Sequence, residues 1–87
     1  MEMAEDWSGG DGIDMAHAVV IHARDRRKGL ADQYAYISGL HGLRSRDWLI
    51  ESQEILHAGG RTYESFVIRT SDGARLRYYF DVTSFHK

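Results

Sequence analysis

The sequence predicts a small α+β domain, β-α-β-β-β in order, with one helix packed on an antiparallel sheet of about four strands. Three observations carry that prediction. Residues 48–83 are rich in β-branched and aromatic side chains and are cut twice by glycine turns, Gly59-Gly60 and Asp72-Gly73. Glycine reaches the positive φ that tight hairpins need, so these breaks mark a C-terminal meander of three strands. Upstream, Leu30, Tyr34 and Ile37 recur at the spacing of one helical face. Before them, Val19-Val20-Ile21 favours a short strand.

Taken in order, residues 1–13 are expected to be a disordered acidic tail. Gly9, Gly10 and Gly12 stand among acids there, and Trp7 is a lone large ring without a hydrophobic period around it. Residues 14–87 then make a single domain. Its first strand lies within residues 15–23, and a charged turn over 24–29 follows. The helix covers residues 30–40, with Gly39 and Gly42 as C-terminal stops. Residues 41–47 form a loop. The meander strands span 48–56, 62–70 and 74–82.

Side-chain alternation assigns faces to the last two strands. A three-residue loop, Ser71-Asp72-Gly73, sets Thr70 against Ala74, Ile68 against Leu76 and Phe66 against Tyr78. Phe66, Ile68, Leu76, Tyr78, Phe80 and Val82 then share the helix side. A two-residue loop would split that apolar set. Several side chains worth about 1.5–3 kcal/mol each on burial outweigh a turn preference. The opposite face receives Arg61, Tyr63, Ser65, Val67, Arg69, Arg75, Arg77, Tyr79 and Asp81. The first meander strand cannot be assigned by parity, so Trp48, Ile50 and Leu56 are left open to either side. A strand within residues 15–23, placed at a sheet edge, is a candidate for pairing with another chain.

Composition narrows the function classes. Eighty-seven residues make one domain at most. The absence of cysteine excludes a disulfide framework, a thiolate zinc site and a cysteine nucleophile. No apolar run is long enough to span a bilayer, and the N-terminal residues lack the order of a secretory leader, so a cytoplasmic location without membrane contact is expected. The net charge of −2 is uneven: Glu2, Glu5, Asp6, Asp11 and Asp14 open the chain without a base, and the rest is mildly basic.

The candidate binding face is the one carrying Arg61, Tyr63, Arg69, Arg75, Arg77 and Tyr79. Two functions fit it. The first is a non-catalytic protein-interaction module that works through homodimerisation. The second is weak binding of single-stranded nucleic acid, with tyrosines stacking bases and arginines meeting phosphates. Arg24, Arg26, Arg27, Lys28, Arg44 and Arg46 would extend that field, but a pI near 6.2 opposes strong binding. No cofactor and no metal site is predicted, since His17, His22, His41, His57 and His86 show no ligand spacing. No nucleophile elbow or phosphate loop is present, so no enzymatic activity is expected. Gln53 interrupts an apolar strand and is expected to be structural, facing water or bonding a neighbour such as Glu64.

Overall fold

The computed structural model describes residues 6–86. Five strands and one α-helix follow in the order β1 (Trp7–Gly9), β2 (Val19–Ile21), α1 (Arg26–His41), β3 (Trp48–Ala58), β4 (Arg61–Thr70) and β5 (Arg75–Asp81), with a 3-10 turn at Met15–His17. They form one sheet in the order β1-β2-β5-β4-β3. The α+β class and the C-terminal meander hold. The sheet is mixed and five-stranded, rather than antiparallel and four-stranded. Topology explains the difference. The helical crossover returns the chain so that β3 starts in the direction of β2. Two hairpin reversals then bring β5 back to that direction, beside β2. Val19 therefore pairs with Phe80 in parallel.

The meander obeys its turns. Gly59 and Gly60 adopt φ of 58° and 77°, joining Ala58 to Arg61 in a two-residue turn. At the second hairpin the Thr70 amide donates to the Ala74 carbonyl at 2.9 Å, and Gly73 takes φ of 90° at the last loop position. Phe66 stands opposite Tyr78 and Ile68 opposite Leu76, the register the apolar parity requires. Phe66, Ile68, Phe80 and Val82 are fully buried with Val19, Ile21, Ile37 and Trp48. Tyr78 is half-buried at the margin of this core, and Leu76 lies beyond it, exposed.

The helix is longer than its apolar spacing indicates. Asp25 caps it, its carboxylate accepting the Lys28 amide at 2.8 Å, so residues 26–29 are helical and not a turn. His41 belongs to its last turn. Its buried stripe is Gly29, Gln33 and Ile37 with Asp32, while Leu30 is 37% exposed. The expected face is rotated by one residue, for two reasons. Gly29 lets the Phe85 ring lie against the helix backbone, and Gln33 donates to Glu64 at 3.1 Å. It is thus Gln33, not Gln53, that reaches Glu64.

Within the expected tail, residues 1–13, the strand β1 adds to the sheet beside β2; residues 1–5 lie outside the described residues. Trp7 pairs with Ile21 and sets its ring edge-on to Tyr36, with centroids 5.6 Å apart. The Tyr36 hydroxyl donates to the Asp11 carbonyl, and the Tyr79 amide to the Gly12 carbonyl at 2.8 Å. The glycines here serve close backbone approach: a Cβ at Gly10 would collide with the His17 backbone. One consequence is that β2 is an inner strand, covered by β1 on one side and β5 on the other, and so is unavailable for pairing with another chain.

Two glycines of α1 should respond oppositely to alanine. A Cβ at Gly29 would collide with the Phe85 ring, within 2.6 Å of three of its carbons, so Gly29→Ala should lower stability by about 1–3 kcal/mol. Gly39 has no atom within 4 Å of such a Cβ, so Gly39→Ala should raise stability by about 0.5–1 kcal/mol. Thermal unfolding of the two variants checks this pair of signs.

Candidate functional site

All six residues singled out from the sequence fall on one side of the sheet, the side away from α1. Arg61, Tyr63 and Arg69 are odd-numbered positions of β4, and Arg75, Arg77 and Tyr79 are odd-numbered positions of β5. The register makes them neighbours: Arg69 stands opposite Arg75, Val67 opposite Arg77, Ser65 opposite Tyr79, and Tyr63 opposite Asp81. No element of the described residues covers this outer face.

Arg69 and Arg75, directly opposite, would repel. Glu51 resolves the conflict. It occupies a β-bulge, where the β3 register slips between Ile50 and Ser52. Ordinary alternation after Ile50 places the Glu51 carboxylate on the outer face, where it meets Arg75 Nε at 2.8 Å and Arg69 Nε at 3.3 Å. The bulge flips the parity of the rest of β3. Trp48 and Ile50 face α1, while Ser52, Glu54 and Leu56 face outward. This answers the question that sequence parity left open for Trp48, Ile50 and Leu56.

The other arginines are engaged as well. Arg77 Nη1 donates to Ser65 Oγ at 3.1 Å and stands 3.8 Å from Glu54 Oε1, with its guanidinium 6.0 Å from the Tyr79 ring centre. Arg61 Nε donates to Asp81 Oδ2 at 2.5 Å. Asp81 is buried, and its Oδ1 accepts from the Thr83 hydroxyl at 2.6 Å and the Thr83 amide at 3.0 Å. Burial alone would push the Asp81 carboxyl up. Its hydrogen bonds from Arg61 and Thr83 outweigh burial and hold it below its usual range. Four arginines thus face three carboxylates, and the face is close to neutral. Between the ion pairs, Val20, Leu56, Tyr63, Val67 and Tyr79 are half-buried.

Sequence reasoning missed two groups. Glu51 and Glu54 were recognised as strand residues but not as the partners of this face, because a bulge has no signature in the residue pattern. The second group lies on the other side of the sheet, where Arg26, Arg27, Leu30 and Gln33 of α1 border a groove against Ile55 and Glu64. The Asp25 cap was the available signal for it. Among the described residues, no group of three or more histidine or carboxylate side chains could hold a metal ion, and no helix is long and apolar enough to cross a membrane. No protein-family model, curated protein or solved structure matches the chain.

The Asp81 network carries a pH signature. A folded pKa below the unfolded value of about 3.9 means that the carboxylate's contribution is full above that pH and is lost as pH falls through the folded value. Asp81→Asn should therefore lower stability at neutral pH by about 1–3 kcal/mol and reduce the acid dependence below about pH 4. Urea unfolding of both proteins at neutral and acid pH checks it.

Proposed function

We propose that the chain is a non-catalytic cytoplasmic interaction domain that works as a homodimer, two copies meeting through the outer faces of their sheets. One observation carries this reading: the uncovered face holds half-buried apolar side chains while its arginines are already engaged by groups of the same face. Free charges are expensive to desolvate, whereas paired ones have met part of that cost. Apolar area flanked by satisfied ion pairs is the kind of surface that a second protein surface covers.

Size and shape support the same reading. The molecule measures 36 × 35 × 21 Å, a thin slab of one helix layer on one sheet layer. Its broad side has room for the ~800 Å² per partner of a standard interface. Two sheets stacked about 10 Å apart would bury Val67, Tyr63 and Tyr79 in both copies at once, as an isologous two-fold contact requires. The lack of cysteine suits a reducing compartment.

Single-stranded nucleic acid remains the second reading, favoured by the position of Tyr63 and Tyr79 on an open sheet. It has less support, because affinity for phosphates depends on cations that can release counterions. Arg61, Arg69, Arg75 and Arg77 are instead occupied by Asp81, Glu51, Ser65 and Glu54.

Light scattering coupled to size-exclusion chromatography is expected to give a dimer. Val67→Lys, which sets a further cation opposite Arg77 on a face whose arginines already outnumber its carboxylates, is expected to weaken dimerisation by at least about tenfold without unfolding the chain. A monomer at all accessible concentrations overturns the reading. Oligonucleotide binding that weakens steeply with salt would favour the second.

A further inference from the structure

The two edges of the sheet are unlike. β1 closes one side as a strand of three residues ending in glycine, a blunted edge. On the other side β3 runs for eleven residues, paired with β4 along one edge and, among the described residues, bridged on the other only at its first residue, Trp48, by Arg44. Its first half is disrupted by the bulge at Glu51. Its second half, from Ser52 to Ala58, pairs regularly with β4 and carries no proline, lysine or bulge, and its one carboxylate, Glu54, points to the outer face, away from the helix side. Edge strands usually bear such protection.

Beside that unprotected half lies a groove of about 350 Å³, between α1 and the inner side of the sheet. Leu30 on the helix and Ile55 on β3 form its opposite walls, and each is 37% exposed. α1 runs antiparallel to β3. Its C-terminal end meets the start of β3, where Trp48 Nε1 donates to the Gly42 carbonyl at 2.9 Å, and farther back Gln33 meets Glu64, the partner of Ile55. Arg26 and Arg27 therefore lie toward the His57 end of β3. Neither has a carboxylate partner among the described residues. They occupy the first turn of a helix that has no acid there, where the macrodipole disfavours cations.

We propose that this edge and groove dock an extended peptide strand of a partner protein, antiparallel to β3, bearing an acidic residue followed two positions later by an aliphatic one. The free backbone groups of β3 supply main-chain hydrogen bonds, as in other strand-addition complexes. Alternate side chains of the added strand point to the helix side. The aliphatic one sits at the level of Ile55 and fills the space beside Leu30. The acidic one precedes it, at the level of His57, and meets Arg26 and Arg27. Glu64 stands on β4 beyond Ile55, a strand farther from the added chain and at the level of its aliphatic residue, with its carboxylate hydrogen-bonded to Gln33. The order acid first, aliphatic second follows from the antiparallel direction. The site is separate from the outer face and does not depend on dimerisation.

The probe is a short fluorescein-labelled peptide of threonine throughout, except for one glutamate and, two positions later, one leucine. Anisotropy titration of the full chain is expected to show saturable binding, and amides of Ser52 to Ala58 are expected to exchange more slowly when it is bound. The exposed double variant Arg26→Glu, Arg27→Glu should weaken binding at least tenfold, as should replacing the peptide's glutamate by lysine. Absence of binding at millimolar peptide overturns the proposal, as does binding that is indifferent to both charge changes or leaves β3 exchange unaltered. Dissociation of a dimer on adding the peptide would mean that a second copy holds this edge, and would also overturn it.

Discussion

Phe66, Ile68, Phe80 and Val82 must share one side of the sheet, because α1 is the only α-helix among the described residues and covers only one side. Strand geometry then leaves no choice for their neighbours. Arg61, Tyr63, Ser65, Val67 and Arg69, with Arg75, Arg77, Tyr79 and Asp81, go to the other side. The candidate interaction face is thus a by-product of core burial. Four apolar side chains at about 1.5–3 kcal/mol each fix the register, and the register delivers the arginines in two facing columns.

That arrangement would be unfavourable on its own, and β3 makes it tolerable. Glu51, outward by ordinary alternation, presents a carboxylate to Arg69 and Arg75. The bulge there shifts the parity of β3 so that Glu54 joins the same face while Gln53 and Ile55 turn toward the helix. One extra residue in one strand thereby links the outer face to the groove on the inner side. Beyond it, β3 continues from Ser52 to Ala58 as an edge strand without a further bulge.

Much of this was legible in the residues. The two glycine turns, the three-residue loop at Ser71-Asp72-Gly73 and the burial of Phe66 and Ile68 follow from turn chemistry and alternation. So does the grouping of the six arginine and tyrosine positions. What escaped depends on tertiary contacts that local patterns do not encode. Leu30 looked like core, but Gly29 and Gln33 take that place because Phe85 and Glu64, distant in sequence, pack there. Trp7 has no hydrophobic period around it, yet Tyr36 and Ile21 hold it in a fifth strand. The parallel pairing of β2 with β5 is a consequence of chain routing, which no window of residues contains. A bulge leaves no trace in composition, so Glu54 could not be assigned to the ion-pair face, whereas Asp81 followed from alternation along β5.

The chain has no cysteine, so a single introduced thiol reports one position without interference. Maleimide labelling of Val67→Cys and Ile68→Cys, adjacent residues assigned to opposite sides of β4, tests the central claim directly. At Val67 labelling should be fast in dilute protein and slow as concentration rises. At Ile68 it should be slow at every concentration, since the thiol is reached only when the core opens. Equal rates at the two positions, or fast labelling at Ile68, would contradict the assignment of faces on which the account rests.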